Sequence, residues 1–299
     1  MNMQAWLYSV LKKAFSQEQR GRIKRSQQRL RNRLQWCYRV CYGTFSADEL
    51  KEEIARRIGS DFDVLMVHSA FDSMTPMFRG SVLELKSVLI ELCGPDRTLV
   101  MPAFFFGGSD YDTVRYYRQK PVFDRRRTPS QMGLLTELFR RHPGALRSLH
   151  PRYSVCALGP LAEQLTGRHH LDKFGCGPDS PFAVMDRSRT TILGIGPPYY
   201  RCLTHVHHIE HVLDEKFPAP CRERSTPVVL KDGDKSVDNC LRLKVFEGQR
   251  RIEKLERFMS RGDMAVWRFH GVPMFAVSAG KVTRALRNQA EKGVTIYSA

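Results

Sequence analysis

The sequence predicts an α/β protein: a layered mixed sheet flanked by helices, with a basic helical extension over residues 1–43 and one main domain over residues 44–299. Two observations lead to this prediction. Short apolar runs typical of buried strands alternate with amphipathic segments from residue 62 to residue 215, which is the pattern of a layered α/β domain. Hydrophobic residues make up 42% of the 299 positions, enough for a sizeable core without disulfide or metal staples. Beyond residue 215 the pattern is less regular, so we expect a smaller C-terminal region there.

Residues 1–42 carry a concentrated positive charge. They contain ten cations and one anion, Glu18, and so supply more than half of the net charge of +17. One interpretation is a pair of basic helices that dock onto an anionic surface, either a membrane face or a polyphosphate. The other is a solvated helix that packs on the domain or forms an oligomer contact. Both stay open, and we expect no specific nucleic-acid partner.

The cysteines and the apolar runs indicate a cytoplasmic protein. The eight cysteines are scattered, without a C-x-x-C pair, as is typical of reduced thiols in the cytosol. No run approaches the roughly eighteen consecutive apolar residues of a membrane-spanning helix. The first residues lack the basic and apolar parts of a secretory signal. Peripheral contact with the inner membrane face through residues 1–42 is a further hypothesis.

The main domain is predicted to alternate helices and strands. Ser46 and Glu49 form a capping box that opens a helix running to about Ile58 and ending at Gly59. The other predicted helices cover 81–93, 129–141 with Pro129 near its first turn, a short segment ending at 165, and 204–215. The predicted strands are the apolar runs 62–68, 98–104, 154–159 and 190–196. Later strand-like pieces lie near 227–231 and 264–268, and helical pieces near 248–260 and 279–292.

The densest group of titratable side chains lies between Thr204 and His211. On a helix, His207, Glu210 and His211 share one face. Two chemistries use such a set. The H-x-x-E-H spacing matches a zinc-hydrolase pattern, which needs a third ligand that no later segment announces. Alternatively, a carboxylate one turn away makes His207 a general base. A surface helix with incidental histidines is the third interpretation.

Several motifs in fixed order carry a wider resemblance over residues 62–215. They are Val67-His68-Ser69-Ala70, Leu99-Val-Met-Pro102-Ala103-Phe104, Phe123-Asp124 with Thr128-Pro129-Ser130-Gln-Met132-Gly133, Phe139 to Ser154, Gly177 to Phe182, Ile192 to Gly196, and Thr204-x-x-His207-x-x-Glu210. In this order and spacing they closely resemble the aminoglycoside N3-acetyltransferase family. The resemblance implies direct transfer of an acetyl group from acetyl-CoA to an amine, within a ternary complex and without a metal.

The same resemblance assigns roles to residues. It implies that His207 is the general base, that Glu210 orients it, and that two loops border the cofactor cleft. The candidate cofactor-binding residues are His68, Ser69, Ala70, Phe71, Arg126, Arg127, Thr128, Ser130, Met132 and Gly133. Backbone amides of the Ser69–Phe71 loop are our hypothesis for stabilising the carbonyl oxygen as it gains negative charge. The arginines beside Thr128 suit the phosphates of CoA, or else they lie on a solvated turn.

Three further residues are candidates for the substrate site or for its structural wall. His150 precedes a proline, which favours an extended backbone, and its ring is expected to hydrogen-bond across the floor of the cleft. Ser154 and Asp124 belong to the same group of motifs. We assign no function to His142, His169 or His170.

The charge of the chain points to the acceptor. Aminoglycosides are polycations, and a site for them calls for an excess of carboxylates, whereas residues 43–299 are themselves basic. We therefore expect an amino-sugar N-acetyltransferase of surface-glycan assembly, acting on an amine carried by a nucleotide or lipid phosphate. The alternative is an aminoglycoside 3-N-acetyltransferase that gives antibiotic resistance. A non-catalytic binding protein on the same scaffold is a third class. The resemblance implies that residues 216–299 shape the acceptor pocket.

Overall fold

The computed structural model describes residues 33–108 and 111–298, with six separate positions before them. Those positions are Gln19, Arg22, Ile23, Ser26, Arg29 and Leu30. Most of residues 1–32, and with them the greater part of the predicted basic helices, lies outside the described residues.

The described residues form a series of α-helices. In chain order they are α1 (Gln35–Tyr42), α2 (Ala47–Ile58), α3 (Val82–Cys93), α4 (Thr113–Gln119), α5 (Leu134–Arg140), α6 (Ala162–Thr166), α7 (Pro181–Arg187), α8 (Tyr199–Cys202), α9 (Val206–Leu213), α10 (Leu255–Phe258) and α11 (Ala279–Ala290). Short 3₁₀ turns lie at Phe71–Ser73, His169–Leu171, Asp214–Lys216 and Ile252–Lys254.

The strands form one large sheet and two small ones. In chain order they are β1 (Val64–Ser69), β2 (Thr98–Pro102), β3 (Val122–Asp124), β4 (Leu146–Arg147), β5 (Val155–Leu158), β6 (Thr190–Ile195), β7 (Cys221–Asp232), β8 (Lys235–Phe246), β9 (Gln249–Arg250), β10 (Met264–Phe269), β11 (Val272–Ser278) and β12 (Tyr297–Ser298). The large sheet has the order β10-β11-β6-β1-β2-β5-β4, the second pairs β3-β7-β8, and the third pairs β12 with β9.

The large sheet is mixed, which confirms the predicted fold class. Strand β1 pairs in parallel with β2 and β6 at its centre, whereas β5 and β11 add antiparallel partners on either side. Strands β10 and β11 come from the C-terminal region, so that region completes the large sheet. Within the described residues, none of the helices has the combined length and apolar content needed to cross a bilayer.

The core lies on both faces of the large sheet. Val64 and Met66 of β1 pack on one face, in a cluster with residues of α7, α9 and α11. Leu65 and Val67 pack on the opposite face, against residues of α2, α3 and α5. Because side chains alternate along a strand, His68 lies on the face that α9 covers. The apolar run that predicted β1 is thus explained by a strand that is buried on both faces.

The helical piece predicted near 248–260 is partly wrong, because Gln249–Arg250 is strand β9 and helix α10 covers only Leu255–Phe258. Two predicted boundaries also differ from the structure. The capping box of Ser46 and Glu49 is present as predicted, and α2 ends at Gly59. The helix predicted from Pro129 begins only at Leu134, because residues 129–133 form a loop that is fixed by its own side chains.

The other difference concerns β7 and β8. They form a long hairpin of twelve residues in each strand, where only 227–231 was predicted. One face of the hairpin is exposed and charged, so the sequence lacks a continuous apolar run there.

Candidate active site

Helix α9 places His207, the predicted general base, and Glu210, its predicted partner, at the edge of the core. Val206 and Ile209 are buried against the large sheet, which fixes how the helix is rotated. His207 and Glu210 are three residues apart and lie one turn from each other. The Nδ1 of His207 lies 2.7 Å from Oε2 of Glu210. The sequence therefore places these two side chains together correctly.

The two side chains differ sharply in burial. Glu210 is 1% exposed, and the side chain of His207 is 13% exposed. Burial opposes ionisation of Glu210, but its hydrogen bond and electrostatic interaction with His207 and the positive charge of Arg250 outweigh it and hold its pKa at about 2. The carboxylate is therefore ionised at neutral pH and accepts the Nδ1 hydrogen of His207. The remaining ring nitrogen, Nε2, then carries the lone pair.

Two C-terminal side chains complete this site, and sequence reasoning missed both. The hydroxyl of Tyr297 donates to Oε1 of Glu210 over 2.8 Å. Arg250 donates to that hydroxyl from Nε over 2.9 Å and from Nη2 over 2.7 Å. Its Nη1 lies 3.3 Å from Nε2 of His207. His207, Glu210, Tyr297 and Arg250 therefore form a closed ring of hydrogen bonds.

The exposed edge of His207 opens into a cleft of about 810 Å³. The cleft is lined by Phe104, Phe106, Arg152, Tyr153, Thr204, His207, Lys244, Val245, Phe246, Gly248, Gln249, Arg250 and Tyr297. Among these residues are three cations and no carboxylate. Five of the other lining residues are aromatic: Phe104, Phe106, Tyr153, Phe246 and Tyr297. The cleft therefore contains the His207 ring, several aromatic side chains and three positive charges.

The other histidines of the cluster hold the loop that faces α9. The Nδ1 of His208 donates to the carbonyl of Cys176 over 2.7 Å, and the amide of Cys176 donates to Nδ1 of His211 over 3.1 Å. His205 contacts Oγ1 of Thr283 over 3.0 Å. The second histidine of the H-x-x-E-H pattern is thus bonded to backbone. In the described part of the chain, no group of three metal-ligating side chains is placed to hold an ion.

His150 supports the wall of the cleft from behind. Its Nδ1 accepts the amide hydrogens of Arg152 over 3.2 Å and Tyr153 over 2.9 Å, and both of these residues line the cleft. Its ring stacks on His169, with the ring centroids 4.6 Å apart. Burial holds the pKa of His150 well below its usual value, so the ring is neutral.

Arg147 bonds to Ser154 and to the turn that follows Asp124. The guanidinium of Arg147 donates to Oγ of Ser154 over 3.1 Å and to the carbonyl of Ala103 over 2.9 Å. It also donates to the carbonyls of residues 125 and 128. Oδ1 of Asp124 accepts the amides of residues 126 and 127, each over 2.9 Å. The network holds a turn whose two arginines, 126 and 127, are exposed.

The loop around Ser130 borders the cleft indirectly. The amide of Gln131 donates to the carbonyl of Phe104 over 2.9 Å, and the amide of Phe106 donates to Oε1 of Gln131 over 2.6 Å. Both phenylalanines line the cleft. Thr128, Ser130, Met132 and Gly133 lie around this contact and do not themselves line the cleft.

The loop after β1 lies apart from the cleft. The amide of Ala70 donates to the carbonyl of Ile195 over 2.9 Å, and the chain then enters a 3₁₀ turn at Phe71. Gly196 packs so closely on this loop that a Cβ there would come within 2.6 Å of the Ala70 carbonyl oxygen. His68 is fully buried, both of its ring nitrogens lack a hydrogen-bond partner, and burial lowers its pKa to about 4. His68, Ser69, Ala70 and Phe71 are absent from the lining of the 810 Å³ cleft.

The α/β fold and the adjacent side chains of His207 and Glu210 agree with what the motifs predicted. The family model of aminoglycoside 3-N-acetyltransferases matches residues 66–290. The chain belongs to that family.

Individual relatives support the assignment. The chain is 28% identical to aminoglycoside N(3)-acetyltransferase IX of Micromonospora chalcea over 182 residues, which cover 58% of this chain and 64% of the relative. It is 32% identical to aminoglycoside N(3)-acetyltransferase III of a Salmonella species over 173 residues, 54% of this chain and 59% of the relative. In both cases the match spans less than two thirds of the relative.

Solved structures share the fold. A structure described as AAC-IIIb binary with CoASH superposes with a TM-score of 0.71 at 24% identity, over 86% of this chain and 100% of that chain. A structure described as AAC-VIa bound to sisomicin superposes with a TM-score of 0.65 at 22% identity, over 81% of this chain and 96% of the other. These likenesses extend well beyond the motif region of residues 62–215, into the C-terminal region.

Proposed function

We propose that this protein is an acetyl-CoA-dependent N-acetyltransferase in which His207 is the general base and Glu210 orients it. The observation that carries the proposal is the 2.7 Å contact between these side chains, one buried and one open to a large cleft. Membership of the family and the solved relative that binds CoASH support the same activity.

The pair is suited to deprotonating an amine. An alkylammonium ion has no lone pair, so it first loses one proton to solvent. As the neutral amine then attacks, a nearby base must take a second proton from the nitrogen. The ionised Glu210 fixes the Nδ1–H tautomer of His207 and stabilises the imidazolium that forms. Acetyl-CoA, when bound, supplies an acetyl thioester: the amine nitrogen gains the acetyl group, the C–S bond breaks, and the thiol leaves with the proton that His207 accepted.

The cleft suits an anionic acyl carrier. Arg152, Lys244 and Arg250 line it with positive charge, and aromatic rings provide an apolar wall for a flexible chain. The exposed side chains of Arg126 and Arg127 stand on a turn held by Asp124 and are proposed to bind phosphate. The Ser69–Phe71 loop is absent from the lining of the cleft and the amide of Ala70 already donates to the Ile195 carbonyl, so we do not propose its amides as the donors to the carbonyl oxygen.

We propose an aminoglycoside as the acceptor, which was the alternative in the sequence interpretation. The names of the relatives and the sisomicin bound to a solved neighbour favour this acceptor over a surface glycan. Acetylation of an antibiotic amine would remove a positive charge from the drug, which is a route to resistance.

One observation keeps an anionic amino sugar as the second candidate. Three cations and no carboxylate line the cleft, which suits an amine linked to a nucleotide or lipid phosphate better than a polycation. The carboxylate of Glu210 lies behind two residues that line the cleft, His207 and Tyr297, and is already bonded to both.

A direct comparison of acceptors tests these proposals. Purified protein with acetyl-CoA is offered sisomicin, kanamycin and a nucleotide-linked amino sugar, and the release of free thiol is followed at low and high salt. Turnover of the aminoglycosides supports the first candidate. Exclusive, salt-sensitive turnover of the nucleotide sugar supports the second, and no turnover of any acceptor opposes the enzyme assignment.

We also propose that the N-terminal region binds anionic membrane. Trp36 and Val40 of α1 are 67% and 75% exposed and lie four residues apart on one helix face. Arg29 and Arg33 are exposed just before them. A helix that presents both apolar and basic side chains to solvent is suited to the interface of an anionic bilayer.

A further inference from the structure

The contact between Arg250 and His207 fixes the protonation state of the base. A guanidinium has donors and no acceptor, so Nη1 of Arg250 can approach Nε2 of His207 only when that nitrogen carries a lone pair. Glu210 meanwhile holds the hydrogen on Nδ1. The contact at 3.3 Å is therefore compatible with the neutral ring and opposes the imidazolium.

Tyr297 holds Arg250 in place to do this. Two of the guanidinium nitrogens, Nε and Nη2, donate to the Tyr297 hydroxyl, which leaves Nη1 to reach the histidine. Arg250 and Tyr297 are directly opposed partners in the β9–β12 pair, so the backbone places both side chains on the same side. The fork of Arg250 is thus anchored independently of the ring that it contacts.

We propose that Arg250, anchored by Tyr297, is the positioning residue that keeps His207 neutral and its Nε2 lone pair directed into the cleft until an acceptor amine displaces Nη1. This role rests on the proposed function. It explains why the buried guanidinium of Arg250 lies beside His207, although its positive charge makes His207 a weaker base. Glu210 supplies the opposite charge, so the imidazolium is still stabilised when it forms during the reaction.

The charged and titratable groups that face the His207 ring come from three parts of the chain. They are Glu210 and His211 of α9, Arg250 of β9, and Arg152 and Tyr153 of the loop between β4 and β5. Burial lowers the pKa of His207, Arg250 lowers it further, and Glu210 raises it. Arg152 acts in the same direction as Arg250 but donates to Thr113. Among these groups, only Arg250 and Glu210 have a described hydrogen bond to the ring.

The test follows the titration of His207 directly. Histidines of the full-length protein are labelled with ¹³C at Cε1, and the signal of His207 is identified by its loss in His207→Gln. Its midpoint is measured in wild type, Arg250→Met, Arg250→Lys and Tyr297→Phe. The matched control is Arg251→Met, the neighbouring arginine, which pairs with Glu253 away from the ring.

The expected result is a move of the His207 midpoint to higher pH in Arg250→Met. A smaller move in the same direction is expected in Arg250→Lys, which keeps the charge without the fork, and in Tyr297→Phe, which loses the anchor. Arg251→Met should match wild type. The acid limb of kcat/KM for the acceptor should move in parallel. A role limited to stability would change the melting temperature and leave the midpoint in place.

An unchanged or lower midpoint in Arg250→Met overturns the proposal. If Arg250→Met does not fold, as judged by its melting curve, the midpoints in Arg250→Lys and Tyr297→Phe decide in the same way. The titration needs no turnover, so it remains decisive if wild type acetylates none of the acceptors. In that case the proposed function fails, and the role of Arg250 in setting the state of His207 is judged separately.

Discussion

The Tyr297 hydroxyl donates to Oε1 of Glu210 over 2.8 Å, while the other oxygen of the same carboxylate accepts from His207 over 2.7 Å. Both oxygens of the buried acid are therefore bonded, and each bond helps to fix its orientation. Tyr297, near the end of the described chain, thus helps to orient Glu210 of α9 toward His207.

Removal of that hydroxyl should loosen the acid. In Tyr297→Phe we expect kcat to fall about tenfold, because a hydrogen bond to a charged, buried group is worth roughly 1.5–3 kcal/mol. The KM for acetyl-CoA should change little. Steady-state kinetics check this, with Tyr116→Phe on α4, outside the cleft, as the control. An unchanged kcat would show that Glu210 is oriented without Tyr297.

The buried Arg147 should be essential to stability. Arg147→Met leaves the carbonyls of residues 125 and 128 without their donor and removes one of the two donors to the Ala103 carbonyl, the other being the Ser154 hydroxyl. Each unsatisfied buried acceptor costs about 1–3 kcal/mol. We expect the free energy of unfolding in urea to fall by about 3 kcal/mol or more. The exposed Arg126→Met serves as the control, with a loss below about 0.5 kcal/mol. Equal stability of the two variants would contradict the network.

His68 should make the protein sensitive to acid. Its pKa is about 4 in the folded protein because burial disfavours its charge, whereas an unfolded histidine titrates near 6.5. Between these values the unfolded chain binds one more proton, so this group lowers stability as the pH falls, by about 1.4 kcal/mol per pH unit.

Replacement of His68 should therefore flatten the pH dependence of stability. In His68→Leu we expect a shallower loss of unfolding free energy from pH 6.5 to pH 4 than in wild type, measured by urea unfolding at several pH values. Replacement of the half-buried His142 by Leu is the comparison, since that ring lies nearer to solvent than His68. A slope in His68→Leu that equals wild type would mean that the ring titrates normally.

The exposed face of α1 should contribute to membrane binding. In Trp36→Ser/Val40→Ser we expect weaker binding of the full-length protein to vesicles that contain anionic lipid, because two exposed apolar side chains can no longer insert. Thiol release with a soluble acceptor should stay at the level of wild type. Vesicle binding at wild-type strength would assign α1 to another role, such as an oligomer contact.

Much of the fold could be predicted because its signals are local. The capping box at Ser46 predicts the start of α2, and an apolar run predicts β1; both elements lie where the sequence places them. The β7–β8 hairpin was underestimated because its exposed face is charged and Pro227 interrupts its pattern. The late start of α5 at Leu134 follows from side-chain hydrogen bonds in the preceding loop, which periodicity does not register.

The candidate site likewise has one part that local spacing predicts and one part that only the structure reveals. His207 and Glu210 are one helical turn apart, so spacing alone brings them together. Arg250 and Tyr297 are 47 residues apart and meet in strands of only two residues, which leave no pattern in the sequence. Only the pairing of β9 with β12 reveals that they reach the base.

Turnover by His207→Ala tests the central claim most directly. With a saturating acceptor amine and acetyl-CoA at pH 8, and with the melting temperature of wild type as evidence of folding, we expect kcat to fall about 10²–10⁴-fold, the range for loss of a general base. Retention of wild-type kcat in this variant would contradict the assignment of His207 as the base.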